Sequence, residues 1–393
     1  MVGGARNARW TAVILGAAVV LSTAAACSQN GSDQTPAADR GPKLTWTTVA
    51  SDPGVEPVTL TPAGPDRLLV GWRGPEGQTR PRLSFLDRAG TRKEVPLKPV
   101  SPKAFDAKWL AVITDGTTIE AVGGAPGGAH SNTRWTTWRG TASGVVEYPQ
   151  RFEAFGGWGA GSVVGLVTTS TVPIIVGSWE SRLSGQDAAV WLPEGNRWIR
   201  QSSAGTALES TPKALVGARS AAQDGGGVVL SGSLTLLGSG SVTVRPAAWR
   251  SPGATGPWRR IDLPAGSQSG EAHAAACQEG TCLMVGQVGG RLAGWELRGD
   301  GARAVAGIPA WPVSEGEHVI PPVATAKGWV WPVVYAGRTR ILTRSGSAWV
   351  SSDGPPGAPL AAAALGDRLY VVTATGDSTS ALAWTTLPRP DGS

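Results

Sequence analysis

The sequence predicts an all-β fold, a β-propeller of about seven four-stranded blades closed by its own N-terminal strand. Three observations predict it. A short apolar strand ending at or near glycine recurs at a spacing of about fifty residues, within the range of propeller blades. Most copies are followed by a second strand that ends in an aromatic residue. Finally, no stretch beyond the N-terminus has helical periodicity, while 55 Gly, 30 Pro and 18 Trp against 2 Met suit short strands joined by many turns.

The chain opens on a segment that serves export rather than folding. Arg6 and Arg9 form a basic region, residues 11–21 an apolar run, and Ala24, Ala25 and Ala26 a small-residue cleavage site. The run is about a dozen residues, against about 20 for a membrane-spanning helix. Cys27 follows the alanines directly. This layout resembles the signal of bacterial lipoproteins, in which that cysteine receives diacylglycerol and becomes the mature N-terminus. The Ala/Gly-rich composition, sparing of Lys and Met, is similar to that of exported actinobacterial proteins. The resemblance implies lipidation at Cys27 and a place on the outer face of the cytoplasmic membrane. Ala24 stands where that family usually has leucine, so plain secretion is the alternative. Residues 1–26 are expected to be the lipoprotein signal peptide. Residues 27–42, polar and Pro/Gly-bearing, are expected to be a disordered tether.

Of the three cysteines, Cys27 accounts for the odd one. Cys277 and Cys282 bracket a Gln-Glu-Gly-Thr turn in "CQEGTC", which predicts a disulfide across a hairpin. The spacing is not CxxC and no second Cys/His pair lies nearby, so neither a metal nor another cofactor is expected. Loss of Arg6 and Arg9 with the signal takes the formal charge from +6 to +4. The remaining Lys and Arg form no stripe, which argues against a nucleic-acid partner. A monomer is expected.

The propeller is expected over residues 43–388, with 389–393 as a tail. Its repeat reads "DRLLVGW" (66–72), "TTIEAVGG" (117–124), "VPIIVGSW" (172–179), "GVVLSGS" (227–233) and "CLMVGQV" (282–288), with weaker copies "GWVWPVV" (328–334) and "DRLYVVT" (367–373). The aromatic-ended partners are "RLSF" (82–85), "RWTTW" (134–138), "AAVW" (188–191), "PAAW" (246–249), "LAGW" (292–295) and "ALAW" (381–384). Large Trp side chains suit the space between blades, where each buries roughly 200 Å². Six or eight blades would follow from one miscounted repeat.

The pattern resembles the sialidase-like, Asp-box-bearing propellers over about 44–388, with degenerate motifs. Gly195 precedes Trp198 and Gly346 precedes Trp349 at Asp-box spacing, but Pro193 and Arg344 occupy the Asp position. The resemblance implies the fold and does not by itself imply sialidase activity.

"LTWTTVAS" (44–51) reads like the fourth strand of a blade, yet no first three precede it. The last repeat supplies three strands and lacks a fourth. Pairing the two closes the ring and leaves no open sheet edge.

Propeller ligands usually sit on the face built from loops between second and third strands and from links between blades. That places Trp72, Arg73, His130, Arg134, Trp158, Trp179, Glu180, Trp311, Glu317 and His318 on the candidate binding face, with Glu76, Glu153, Arg182, Asp187 and Glu315 beside them. Aromatic platforms with a few charges suit a sugar or a protein partner; each residue also has a plainer role as solvated loop or blade packing. His130 lies in a glycine-rich loop without P-loop spacing, His273 reads as a polar strand residue, and Glu317 precedes His318. No G-x-S-x-G elbow is present, and Tyr148, Tyr335 and Tyr370 are the only tyrosines available to a sialidase-type pair. No catalytic residue is assigned. The expected function is a membrane-tethered module that binds a protein or an envelope glycan. The alternative is a glycan-active hydrolase or lyase on the same scaffold.

Overall fold

In the computed structural model the described residues run from 40 to 388, apart from 76, 78, 79, 128–131, 315 and 376–378. Cys27, Glu76, His130, Glu315 and the tail therefore lie outside them. The first strand, β1 (Thr47–Val49), does not pair with its neighbour in sequence. Blade I is β2 (Glu56–Pro62), β3 (Arg67–Arg73), β4 (Pro81–Asp87) and β5 (Arg92–Glu94). The link to blade II carries β6 (Leu97–Lys98) and a helical turn, α1 (Pro102–Phe105). Blade II is β7 (Lys108–Thr114), β8 (Thr118–Gly127), β9 (Asn132–Thr141) and β10 (Gly144–Glu147); the next link holds a second turn, α2 (Phe152–Phe155). Blade III is β11 (Ala160–Thr168), β12 (Pro173–Glu180), β13 (Gln186–Glu194) and β14 (Arg197–Arg200). Blade IV is β15 (Ala214–Asp224), β16 (Gly227–Gly238), β17 (Ser241–Ser251) and β18 (Arg259–Asp262). Blade V is β19 (Gly270–Gln278), β20 (Thr281–Val288), β21 (Arg291–Arg298) and β22 (Gly301–Ala304). Blade VI is β23 (Val323–Thr325), β24 (Gly328–Tyr335), β25 (Arg338–Ser345) and β26 (Ala348–Asp353). Blade VII has β27 (Ala358–Leu365), β28 (Arg368–Ala374) and β29 (Ser380–Thr386) from the C-terminal end.

Its fourth strand is β1, antiparallel to β29 with Thr47 opposite Trp384. The ring is thus closed by the first segment, as the sequence predicts, and the count is seven blades. Contact with the propeller begins ahead of residue 43. Arg40 bridges to Ser351, and the Pro42 carbonyl accepts a bond from Ser352 Oγ at 2.7 Å. Blade II is the exception to four strands, since β6 adds to it in parallel with β10. Every recurring apolar-Gly segment is the second strand of a blade, and the aromatic-ended segments are third strands.

The apolar core is divided rather than central. Seven clusters of buried side chains each join two consecutive blades all the way round the ring. Each blade puts at least one large, fully buried aromatic into this set: Trp72, Trp138, Trp191, Trp249, Trp295, Trp331 and Tyr370. A flat four-stranded sheet with apolar residues on both faces must be covered on both, and a ring of sheets does that without ends. The consequence is a hollow axis, lined by the innermost strands.

Candidate functional site

Because strands alternate in direction, the links that enter each blade and the loops between second and third strands share one face, here the link face. Several links are pinned by indole N–H groups. Trp191 donates to the Ala154 carbonyl, Trp295 to Pro264 and Trp331 to Ile320, at 2.7, 2.7 and 3.2 Å. The core thereby fixes the surface that a partner would meet.

Nine large apolar side chains are exposed among the described residues, and all but Ile199 belong to the link face or channel wall of blades II–IV. They are Val100 and Phe105 in the link to blade II, Leu110 in β7, Phe152 and Trp158 in the link to blade III, Leu183, and Leu236 with Val242 at the tip of the long β16–β17 hairpin. Trp158 is fully exposed, at 101%. It stands two residues before β11, an innermost strand, and so at the rim of the axis.

The structure sorts the predicted face residues. Arg134 lies with its guanidinium 4.6 Å over the Phe152 ring. Trp179 is half-buried, edge-on to Trp191 and covered by Arg200. Glu180 is exposed and its N–H donates to the Gly159 carbonyl, which sets it beside Trp158. These four are brought together where blades II and III meet. Arg73 ends β3, half-buried, on the same face, and Glu153 is exposed in α2. Arg182 is held by Glu209 at 2.7 Å.

Three expectations need correction. Trp72 is 1% exposed in the core between blades VII and I, its indole N–H donating to Ser84 Oγ at 2.7 Å; the apolar neighbours of its strand claim it. Trp311 is 3% exposed and stacked on Tyr335 at 4.2 Å, filling the space between blades V and VI. Asp187 is buried and accepts the Ser210 N–H at 2.7 Å, a structural bond under the link to blade IV. Cys277 and Cys282 are bridged, as expected, and face each other across the β19–β20 hairpin. Asp224 approaches that disulfide but pairs with Arg250 at 2.5 Å.

The axis is a channel of about 1140 Å³ to whose wall all seven blades contribute. Its wall follows from a recurring irregularity. In six blades the innermost strand bulges by one residue against the second strand where it meets the channel, and β11 has a second shift nearer its start, between Ala160 and Val163. Such a β-bulge bends the strand and re-aims a side chain. The extra residues of these six channel-side bulges are Val58, Leu110, Val164, Arg219, His273 and Leu360, and all six line the channel. Beside five of these bulges sits the recurring glycine of the second strand: Gly71, Gly123, Gly177, Gly232 and Gly286. A Cβ at Gly232 would run into the Gly217 carbonyl, and one at Gly286 into the Glu271 carbonyl. The glycine marks the repeat because the bulge needs its space.

Four of the six bulge residues are aliphatic; Arg219 and His273, in adjacent blades, are not. Arg219 Nη2 meets both Glu271 carboxylate oxygens at 3.2–3.3 Å, and Ser233 Oγ donates to the same carboxylate at 3.3 Å. His273 Nε2 is buried without a hydrogen-bond partner among the described residues, 3.8 Å from Glu271 Oε2. Blade VI, whose innermost strand has only three residues, sends Val313, Ser314 and residues 316–319 of its link along the wall instead, with Glu317 and His318. The Leu360 backbone on blade VII favours the protonated form of His318. Desolvation holds both imidazoles below the usual histidine range. For His273 the Glu271 charge opposes this and Arg219 and His318 add to it; for His318 the Leu360 backbone opposes it and Lys108 adds to it.

Arg219, Glu271 and His273 were not singled out as site residues from sequence. The available signal was the register: an extra residue opposite a recurring glycine.

No protein-family model matches this chain, and no curated protein does. Among solved structures the chain is similar to YCF48 bound to D1 peptide, with a TM-score of 0.51 and 10% identity, over 90% of this chain and 99% of that one. It is also similar to a puromycin-hydrolyzing peptidase of Mycobacterium tuberculosis, with a TM-score of 0.50 and 14% identity, over 88% of this chain and 54% of that one. At these identities the likeness shows the fold, a β-propeller.

Proposed function

We propose that this chain is a binding module that captures a peptide segment of a protein partner on its link face and at the mouth of its channel. In this reading a lipid on Cys27 holds it at the outer face of the cytoplasmic membrane, with free secretion as the alternative. One observation carries the reading: among the described residues, eight of nine exposed large apolar side chains lie on the link face or channel wall of blades II–IV, with a fully exposed Trp158 at the rim. Apolar side chains grouped in this way mark interaction sites, and an exposed Trp is a common anchor of binding energy. The likeness to YCF48, a propeller recorded with a peptide bound, supports it.

The glycan-active alternative finds less support among the described residues. The channel wall holds one arginine, Arg219, and no tyrosine. Tyr335 is stacked on Trp311 and Tyr370 is buried between blades. The test is to probe the full chain with a peptide array and a glycan array side by side. Peptide ligands that lose at least about tenfold in affinity in Trp158→Ala are expected. Glycan ligands alone, or peptide ligands indifferent to Trp158 and Phe105, would overturn the reading.

A further inference from the structure

Resting on that reading, we infer that the channel recognises an acidic residue carried on an aliphatic peptide, and that it seats the carboxylate between Arg219, His273 and His318. The wall that receives the peptide is aliphatic at Val58, Leu110, Val164 and Leu360. Against it, blades IV–VI carry all the ionisable side chains of the lining, the basic Arg219, His273 and His318 together with Glu271 and Glu317. Arg219 uses Nη2 on Glu271, while its Nε and Nη1 carry no hydrogen bond among the described residues. His273 Nε2 is buried and orphaned among the described residues, and a buried polar atom without a partner is costly. A carboxylate in the channel gives the guanidinium a charge-assisted partner beside the accessible edge of the His273 ring.

Charge explains both the capacity and its pH dependence. The groups facing the two imidazoles are Arg219 on β15, Glu271 on β19 and Lys108 on β7, with Glu317 next to His318. Within the sector Arg219 offsets only one of the two carboxylates while both imidazoles are neutral, since Lys108 stands outside it on blade II. It is the protons taken up by His273 and His318 together that turn the sector positive. Both imidazoles are held low in the free protein, and an incoming carboxylate favours their protonated forms. Binding therefore takes up protons and tightens as pH falls from 7.5 to 5.5.

The full chain is tested with two pools of end-blocked heptapeptides, random but for a central Glu in one and a central Gln in the other, with octanoate as a free-acid competitor. The Glu pool should be retained over the Gln pool by about tenfold, more so at pH 5.5, and octanoate should compete weakly. Arg219→Met should erase the preference, and His273→Asn with His318→Asn should erase its pH dependence. Should Arg219→Met fail to fold, Arg219→Lys keeps a cation beside Glu271 and tests the guanidinium fork alone. Equal retention of both pools overturns this inference and leaves peptide capture standing. Retention of neither pool, with or without octanoate binding, overturns both.

Discussion

Glycine at the bulges is the residue on which the channel depends. Replacing Gly286 with Ala pushes a Cβ into the Glu271 carbonyl, which is backbone and cannot rotate away. The substitution should cost about 2–4 kcal/mol in chemical denaturation, as overpacking and backbone strain do together. Gly195 sits at φ +60 in a hairpin with open space, and Gly195→Ala should cost only about 1 kcal/mol. Equal costs would mean that the bulge is not held by the glycine. A second residue with a global role is Glu296, whose side chain is 3% exposed and is bonded by Arg298, Arg303 and Arg344. Burial works against its ionised form, but the bonds from Arg303 and Arg344 and the nearby charges outweigh it, and its carboxyl is held below the ordinary 4.5. A depressed carboxyl stabilises the fold above its unfolded value, and that contribution is lost as pH falls through the folded one. Glu296→Gln should therefore be less stable than the parent at pH 7, with the difference closing below about pH 4. A difference that stays constant with pH would show that shape rather than charge matters. Sequence showed the recurring glycines at once, but only as punctuation. Which residue a bulge turns inward depends on the partner strand, so Arg219 and His273 were hidden in strands that read as ordinary.

At the level of elements, second and third strands were legible because burial on both faces demands continuous apolar runs. The innermost strands were harder to read. "GEAHAAACQ" and "EPVTLTP" face the axis along one side and carry weaker patterns. The Cys277–Cys282 bridge closes a loop of only four intervening residues across strands that already pair from Gly270 to Gln278. Constraint of so short a loop contributes at the low end of the disulfide range, about 2 kcal/mol or less. Cys277→Ser with Cys282→Ser should lower the melting temperature by a few degrees and leave the fold intact. A collapse of cooperative unfolding would assign the bridge a larger part. Strand β1 is the opposite case. Leu44 and Trp46 pack into the cluster between blades VI and VII, Trp46 Nε1 donates to the Asp353 carbonyl, and β1 covers the edge of β29. Deleting 43–51 removes all three and exposes an edge and an apolar face, so it should abolish a single cooperative melt. A melt unchanged within a few degrees would refute closure as the source of stability.

At the scale of the whole molecule, the ring was legible from its period, while the distribution of surface character was not. The segments of Trp72 and Trp311 border loops, which suggests the binding face, but blade packing claims both side chains. Trp158 differs only in that its segment crosses the link face just before an innermost strand, so no blade covers it. Function at this scale depends on where the chain is held, and the sequence bears on that through its first 27 residues, ending at Cys27. A dozen apolar residues are too few to span a bilayer, whereas two acyl chains bind stably at about 0.8 kcal/mol for each buried CH₂. If Cys27 is the attachment point, retention depends on one sulfur and is independent of the propeller. Cys27→Ser should then move the protein from the membrane fraction to the soluble fraction or the medium, with its melting temperature unchanged. Growth with radiolabelled palmitate should label the parent and not the variant. A variant that stays in the membrane through a high-pH wash would instead make residues 11–21 a retained helix. A parent that is never labelled and is found wholly in the medium would make the chain a freely secreted binder, reaching its partner by diffusion.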